Sequence, residues 1–182
     1  MKSKKVKDIM IPIEKYAIVG EDTSMLDAIK ALKKSQEKVP EGSEPYRAVL
    51  VKNKAGKIIG KVGQLGFLKG LEPKYKTVFD MEKLTRANLS SEFVQSLMEH
   101  FSLWDDDAND LCKLASSIKV KDIMQSSVEN IDENESLSVA IHKIIMWGSL
   151  SILVSSGKEV VGILRLSDIF KELEDNIINC KG

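Results

Sequence analysis

Two cysteines, two histidines, a run of aspartates and a string of glycines are the residues of this chain best equipped for chemistry. Their spacing decides how little of it they support alone. Cys112 and Cys180 need a neighbouring base to act as nucleophiles, or further ligands at regular spacing to hold a metal. His100 and His142 lie in helical patterns with no motif around them, so neither a catalytic nor a metal-ligating set is expected. Asp105-Asp106-Asp107-Ala108-Asn109-Asp110 opens like a calcium loop, but such a loop needs Gly at position 6 and Glu at position 12. Here those places hold Asp110 and Ser116, and the acidic run suits the positive end of a helix dipole instead. Gly60, Gly63, Gly66 and Gly70 follow neither the phosphate-loop rule nor the dinucleotide spacing, and read as turn and close-contact glycines.

A few polar residues keep two readings open. Arg165 can meet a phosphate through charge-assisted hydrogen bonds or lie at the surface. Ser167-Asp168 can cap the helix that follows. Arg47 can serve a phosphate or end a strand in solvent. Trp104 follows an apolar stripe and reads as core or interface, and Trp147 closes an apolar helix just before Gly148, where a left-handed residue is expected. Cys112, within Leu111-Cys112-x-Leu114-Ala115, reads as a small hydrophobe in a core.

These residues must be positioned by a chain of 182 residues, 43% hydrophobic, with 27 Lys+Arg against 27 Asp+Glu. That length makes one ordinary domain or two small ones. Zero net charge argues against nucleic acid as a partner, since phosphate contacts need a surplus of cations on one face. Lys2, Lys4, Lys5 and Lys7 read as a solvated end. No apolar stretch approaches the roughly 20 residues of a membrane span, and the N-terminus lacks a secretory core. The expected location is cytoplasmic, with both cysteines as thiols.

An internal repeat organises the elements. Val6-Lys7-Asp8-Ile9-Met10 returns unchanged as Val120-Lys121-Asp122-Ile123-Met124. Further on, 19–25 matches 131–137, 48–51 matches 151–154, and 57–62 matches 159–164, in the same order. Each copy spells a short strand (Ile18-Val19, or Val128 and Ile131), a helix capped by Ser24 (with Thr23 as the alternative) or Ser136, a hairpin and a last helix (Leu65–Leu71 or Ser167–Leu173). The predicted hairpin strands are 47–52 and 57–62 in copy one, 150–155 and 159–164 in copy two. From Ala28 to Ala48 is 20 positions, against 11 from Ala140 to Ser151. The difference falls in the Pro/Gly loop 38–45, which is expected to project from the surface. Between the copies, Phe93, Val94, Leu97, Met98 and Phe101 recur at helical spacing behind Ser90 or Ser91, and a shorter helix carries Leu111, Leu114 and Ala115.

The two copies resemble a tandem pair of CBS (cystathionine-β-synthase) domains, the arrangement called a Bateman module. The Val-Lys-Asp-Ile-Met openings and the run Gly162-Ile163-Leu164-Arg165-Leu166-Ser167-Asp168-Ile169 carry the resemblance. It implies an α/β (α+β) fold in which two β-α-β-β-α repeats pack with pseudo-twofold symmetry: repeat 1 over 1–71, a helical insert over 72–117 and repeat 2 over 118–182. It further implies clefts that hold AMP, ADP, ATP or S-adenosylmethionine as regulatory ligand with no cofactor required. The implied assembly is a homodimer formed through the CBS helices, with the 90–104 helix as a further candidate surface, acting on an effector protein that the sequence does not name.

The family's closing motif, Gly-x-x-(Thr/Ser)-x-x-Asp, uses its Asp to accept both ribose hydroxyls. Copy two keeps Gly162 and Asp168 but has Arg165 at the hydroxyl position, with Ser167 before the Asp. Copy one has Gly63 and Gly66 at both polar places, which removes that grip. The resemblance also implies phosphate contacts at Arg47 in copy one and Ser149 in copy two, and a cleft wall at Ser126 and Ser127. The resulting candidates are Asp168, Ser167, Arg165, Ser126, Ser127, Ser149 and Arg47. A nucleotide-sensing regulatory module is the leading expectation, a ligand-free structural or interaction pair the alternative, and an enzyme is not expected.

Overall fold

The computed structural model describes residues 4–41, 43–77, 89–104, 108–126 and 130–178. Its strands are β1 (Ile11–Pro12), β2 (Ile18–Gly20), β3 (Ala48–Lys52), β4 (Ile58–Gly63), β5 (Gln125–Ser126), β6 (Asn130–Asp132), β7 (Ser151–Ser156) and β8 (Glu159–Arg165). The helices are α1 (Met25–Gln36), α2 (Gln64–Leu71), α3 (Lys74–Thr77), α4 (Ser91–Phe101), α5 (Ala108–Ser117), α6 (Val120–Ile123), α7 (Leu137–Trp147) and α8 (Leu166–Ile178). Both repeats therefore have the expected β-α-β-β-α order. Ser127, Val128, Cys180 and the acidic run 105–107, all singled out in the sequence, lie outside the described residues.

Local chemistry sets the element ends. Ser24, Ser90 and Ser136 each accept a hydrogen bond from the backbone amide three residues on, at Asp27, Phe93 and Val139, and so start α1, α4 and α7. Gly148 ends α7 at φ 59° and Gly157 turns the second hairpin at φ 61°, backbone that a side chain disfavours. In the first hairpin Asn53 accepts from the Lys57 amide through its side chain and from the Gly56 amide through its carbonyl. The final helix runs past the expected Leu173 to Ile178, because no glycine or proline interrupts that stretch.

The strands form two four-stranded sheets, ordered β2-β3-β4-β5 and β1-β8-β7-β6. Each sheet takes three strands from one repeat and an edge strand from the other. β1 pairs antiparallel with β8, opposing Ile11 to Ile163 and Pro12 to Gly162, and β5 pairs antiparallel with β4, opposing Ser126 to Gly60 and Gln125 to Lys61. A β-carbon on Gly60 would lie 2.4 Å from the Gln125 carbonyl oxygen, and one on Gly162 would lie 2.7 Å from that of Ile11. Only glycine admits the exchanged strand so closely.

The repeated pentapeptide sits just ahead of each exchanged strand and docks on the opposite repeat. The Val6 amide donates to the Glu135 carbonyl and the Lys7 amide to Glu133; correspondingly, the Val120 amide donates to Thr23 and the Lys121 amide to Glu21. The return bonds match too, from the Leu137 amide to Lys4 and from the Met25 amide to Ile118. Val6 and Val120 are wholly buried, Val6 among Ile131, Leu137 and Leu164, Val120 among Met25, Val49 and Val62. Burying such a side chain stabilises by roughly 1.5–3 kcal/mol.

Between the sheets lies a third cluster, formed by Tyr16, Leu50 and Ile58 from repeat 1 with Leu153 and Ile163 from repeat 2. This is the pseudo-twofold seam. The insert is not a separate body: α5 packs on α1 and α2 and places Ala115 in the core of repeat 1. Cys112, read from the sequence as a core residue, is exposed. The buried line of α5 runs through Leu111, Leu114 and Ala115, and position 112 turns away from it.

Candidate functional site

Asp168 is placed by the junction of β8 and α8. Arg165 is the last residue of β8, and α8 begins at once, its first amide, that of Leu166, donating to the Leu150 carbonyl. Three residues along the first turn, the Asp168 carboxylate comes back over Arg165. The two form a forked pair: Nε donates to Oδ2 at 2.7 Å and Nη2 to Oδ1 at 2.6 Å. Their side chains are only 12% and 19% exposed, so the surface alternative for Arg165 does not hold.

The remaining guanidinium nitrogen reaches the other repeat. Nη1 donates to the carbonyl oxygens of Glu44 at 3.1 Å and Pro45 at 3.3 Å. The extra loop of copy one therefore does not simply project: Glu44 and Pro45 are exposed, but their carbonyls fasten the loop to repeat 2. The Glu44 carboxylate turns the other way and pairs with the exposed Arg47 at 2.9 Å. Behind the pair, the Tyr16 and Tyr46 rings lie 4.8 Å apart at 40°. Burial drives the Tyr16 hydroxyl well above its ordinary pKa, with Arg165 opposing that shift through its positive charge. Burial also works against the charge on Arg165, yet the hydrogen bonds and charge of Asp168, with Tyr16 and Glu44, hold the guanidinium above its ordinary value.

Of the residues anticipated from sequence, Asp168 and Arg165 are brought together, with Ser167 half-buried in the same helical turn. Arg47 lies across the seam, bound to Glu44. Ser149 is half-buried just after Gly148, its amide donating to the Ile144 carbonyl. Strand exchange puts Ser126 elsewhere: it is exposed and opposite Gly60 on the repeat 1 sheet, whereas the segment on the repeat 2 sheet beside β8 is Ile11–Pro12. The wall nearest Asp168 thus comes from copy one. Glu44, Pro45, Tyr16 and Tyr46 were not anticipated, because their relation to Asp168 depends on that exchange.

The equivalent place in repeat 1 is built differently. Gly63 and Gly66 stand where Arg165 and Asp168 do in repeat 2, and a β-carbon at Gly66 would meet the Ile123 carbonyl oxygen and Val62 at 3.3 Å. Lys61, one of the buried charged residues, crosses from β4 to β7 and donates to the Ser151 carbonyl and, at 2.8 Å, to its hydroxyl. A lysine inside the otherwise apolar Ile58-Ile59-Gly60-Lys61-Val62 was the available sign of it.

A seam between two α+β repeats, with an acidic residue at the start of a closing helix, defines a paired-repeat module. The CBS domain family model matches residues 120–175. Among solved structures, a CBS domain-containing protein of unknown function from Bacillus anthracis is 20% identical, with 96% of this chain and 95% of that one covered at a TM-score of 0.62. CBSX2 of Arabidopsis thaliana, in a structure with AMP, is 17% identical, with 94% and 97% covered and a TM-score of 0.59. The CBS domain of a bacterial CNNM/CorC family Mg2+ transporter, in a structure with ATP, is 11% identical, with 95% and 89% covered and a TM-score of 0.57. No curated protein sequence matches the chain. Residues 120–175 thus match the CBS domain model, and the chain as a whole has the fold of the CBS-pair structures. Among the described residues no helix is long and apolar enough to cross a membrane.

Proposed function

We propose that this chain is a regulatory module that binds an adenosine nucleotide at the Asp168 seam and signals by changing the geometry of a homodimer. The observation that carries this reading is the Arg165–Asp168 fork on the seam between repeats. It offers a two-oxygen acceptor suited to a ribose diol and, three residues away, a cation suited to a phosphate. Similar structures hold AMP and ATP. Their chemistry fits the same pair of groups. The residues assigned are Asp168 to the ribose and Arg165 to the phosphate, with Tyr16 and Tyr46 lining the seam behind them. The role is binding rather than catalysis, in a reducing cytosol that keeps the exposed Cys112 a thiol.

The dimer surface in this reading is apolar and lies on repeat 2. Ile145 and Met146 on α7, with Leu150 after it, and Phe170 and Ile177 on α8 are each more than 60% exposed. Phe93, Val94 and Met98 on α4 form a second, smaller exposed stripe.

Calorimetry with AMP, ADP, ATP and S-adenosylmethionine tests the reading. At least one is expected to bind, and Asp168→Ala is expected to abolish it; absence of binding by all four overturns it. One observation favours a second reading, a ligand-free pair that only docks a partner: Asp168 already has both oxygens filled, and repeat 1 has glycines at the matching places. Full structural integrity with no nucleotide bound is the result that reading expects.

A further inference from the structure

We propose that Arg165 is a resident occupant of the Asp168 carboxylate, a latch that ligand must displace and that makes the site select a phosphorylated nucleoside over a bare one. The proposal rests on the nucleotide reading above and adds to it how the ligand is selected. Three features of the seam support it.

First, the fork is chemically interchangeable. Arg165 fills the two Asp168 oxygens with two parallel N–H donors at 2.7 and 2.6 Å. A ribose diol offers two parallel O–H donors to the same oxygens, so guanidinium and diol compete for one bidentate seat. Second, among the described residues Asp168 is the carboxylate that Arg165 hydrogen-bonds. The Glu44 carboxylate is turned to Arg47, and Glu44 and Pro45 give Arg165 only carbonyl oxygens. A diol that took Asp168 would leave a guanidinium, 12% exposed, without the two hydrogen bonds of its fork. Unmet donors on a largely desolvated cation are costly. A ligand phosphate removes that penalty, and a nucleoside lacking one cannot. Third, the guanidinium is tethered on its far side by the 38–45 loop of repeat 1, which keeps it at the seam after Asp168 lets go. Moving it toward a phosphate strains or frees that loop, which ties occupancy of repeat 2 to the conformation of repeat 1.

The test compares adenosine with AMP on the full chain and on Arg165→Ala and Arg165→Lys, each checked by thermal melting. The unmodified chain is expected to prefer AMP. Arg165→Ala empties the seat, so adenosine is expected to bind about tenfold tighter, in proportion to the latched fraction removed, while AMP weakens and the preference collapses. Arg165→Lys, which keeps a charge but no fork, covers the case in which the alanine variant fails to fold. It is expected to tighten adenosine while retaining AMP. A preference for AMP over adenosine that survives unchanged in both variants overturns the latch and leaves the nucleotide reading standing. If none of adenosine, AMP, ADP, ATP and S-adenosylmethionine binds any of the three proteins, the nucleotide reading fails and the latch with it. Faster amide exchange at Ser43, Glu44 and Tyr46 when AMP is added to the unmodified chain is expected; unchanged exchange with AMP bound overturns the coupling to repeat 1.

Discussion

At Gly60 and Gly162 the two repeats meet through bare backbone, and a single methyl group measures how closely. Gly162→Ala puts a β-carbon 2.7 Å from the Ile11 carbonyl oxygen and against the Met10 sulfur. Part of β1 must move away from β8, and overpacking of this kind costs about 1–3 kcal/mol. Gly63→Ala is the control, with normal backbone and its nearest neighbour at 3.8 Å. Urea unfolding is expected to show a clear loss for the first and a change within about 0.5 kcal/mol for the second. In the sequence Gly60 stood out as a turn or close-contact glycine and Gly162 as part of a motif, but not what either contacts. Arg165 was harder still. Its strand position was legible, yet its burial depends on carbonyls 120 and 121 positions away that no local pattern reports. Cys112 failed for a plainer reason: it neighbours the buried line of its helix without belonging to it.

At the scale of elements, the identical pentapeptides explain themselves as two copies of one docking device with one unequal part. Lys121 Nζ reaches Asp22 at 2.7 Å, whereas Lys7 Nζ reaches Asn134 at 3.0 Å. The hydrogen bond and charge of Lys121, with Lys54 and Lys119 adding, hold the Asp22 carboxyl below its ordinary range. A depressed folded value means this contribution is complete above the ordinary carboxylate pKa of about 4 and is lost as pH falls through the folded value beneath it. Amide protection at Val120 and Lys121 is therefore expected to fall in acid more than at Val6 and Lys7, and Asp22→Asn is expected to remove the difference. Equal pH responses at the two segments in the unmodified chain would contradict this. A second clasp fixes the insert. The buried Glu72 carboxylate accepts the Lys74 amide at 3.1 Å and the Trp104 amide at 2.9 Å, while Lys74 Nζ donates to the Ser102 carbonyl at 2.8 Å. Glu72→Ala leaves two part-buried amide donors unpaired, at about 1 kcal/mol, and exchange in α4 is expected to accelerate before any change in β7. The helices themselves were legible from apolar spacing and serine caps; the clasp was not, since a lone glutamate after a helix carries no periodic mark.

Over the whole molecule, duplication, element order and α+β class were readable because the repeat is nearly unbroken. The exchange of edge strands between the copies was not, because register between segments more than 60 residues apart leaves no periodic trace. Repeat 2 carries the exposed apolar surface on α7 and α8, and the dimer proposed above uses it. Sedimentation is expected to give a dimer, and Ile145→Glu with Phe170→Glu a monomer with an unchanged circular dichroism spectrum. A monomer from the unmodified chain at micromolar concentration would exclude that surface as a stable interface.

The exchanged edge strands bear on how such a chain could have arisen. A lone ancestral repeat has a leading segment, a pocket for its buried valine and a glycine that admits a foreign strand, but it cannot fold that segment onto itself in this register. Two separate copies could satisfy one another reciprocally, each lending its first residues to the other. In one chain the exchange is a tethered event rather than a concentration-dependent encounter. The two halves of a tethered pair need not match, and here one has an aspartate at its closing helix where the other has a glycine.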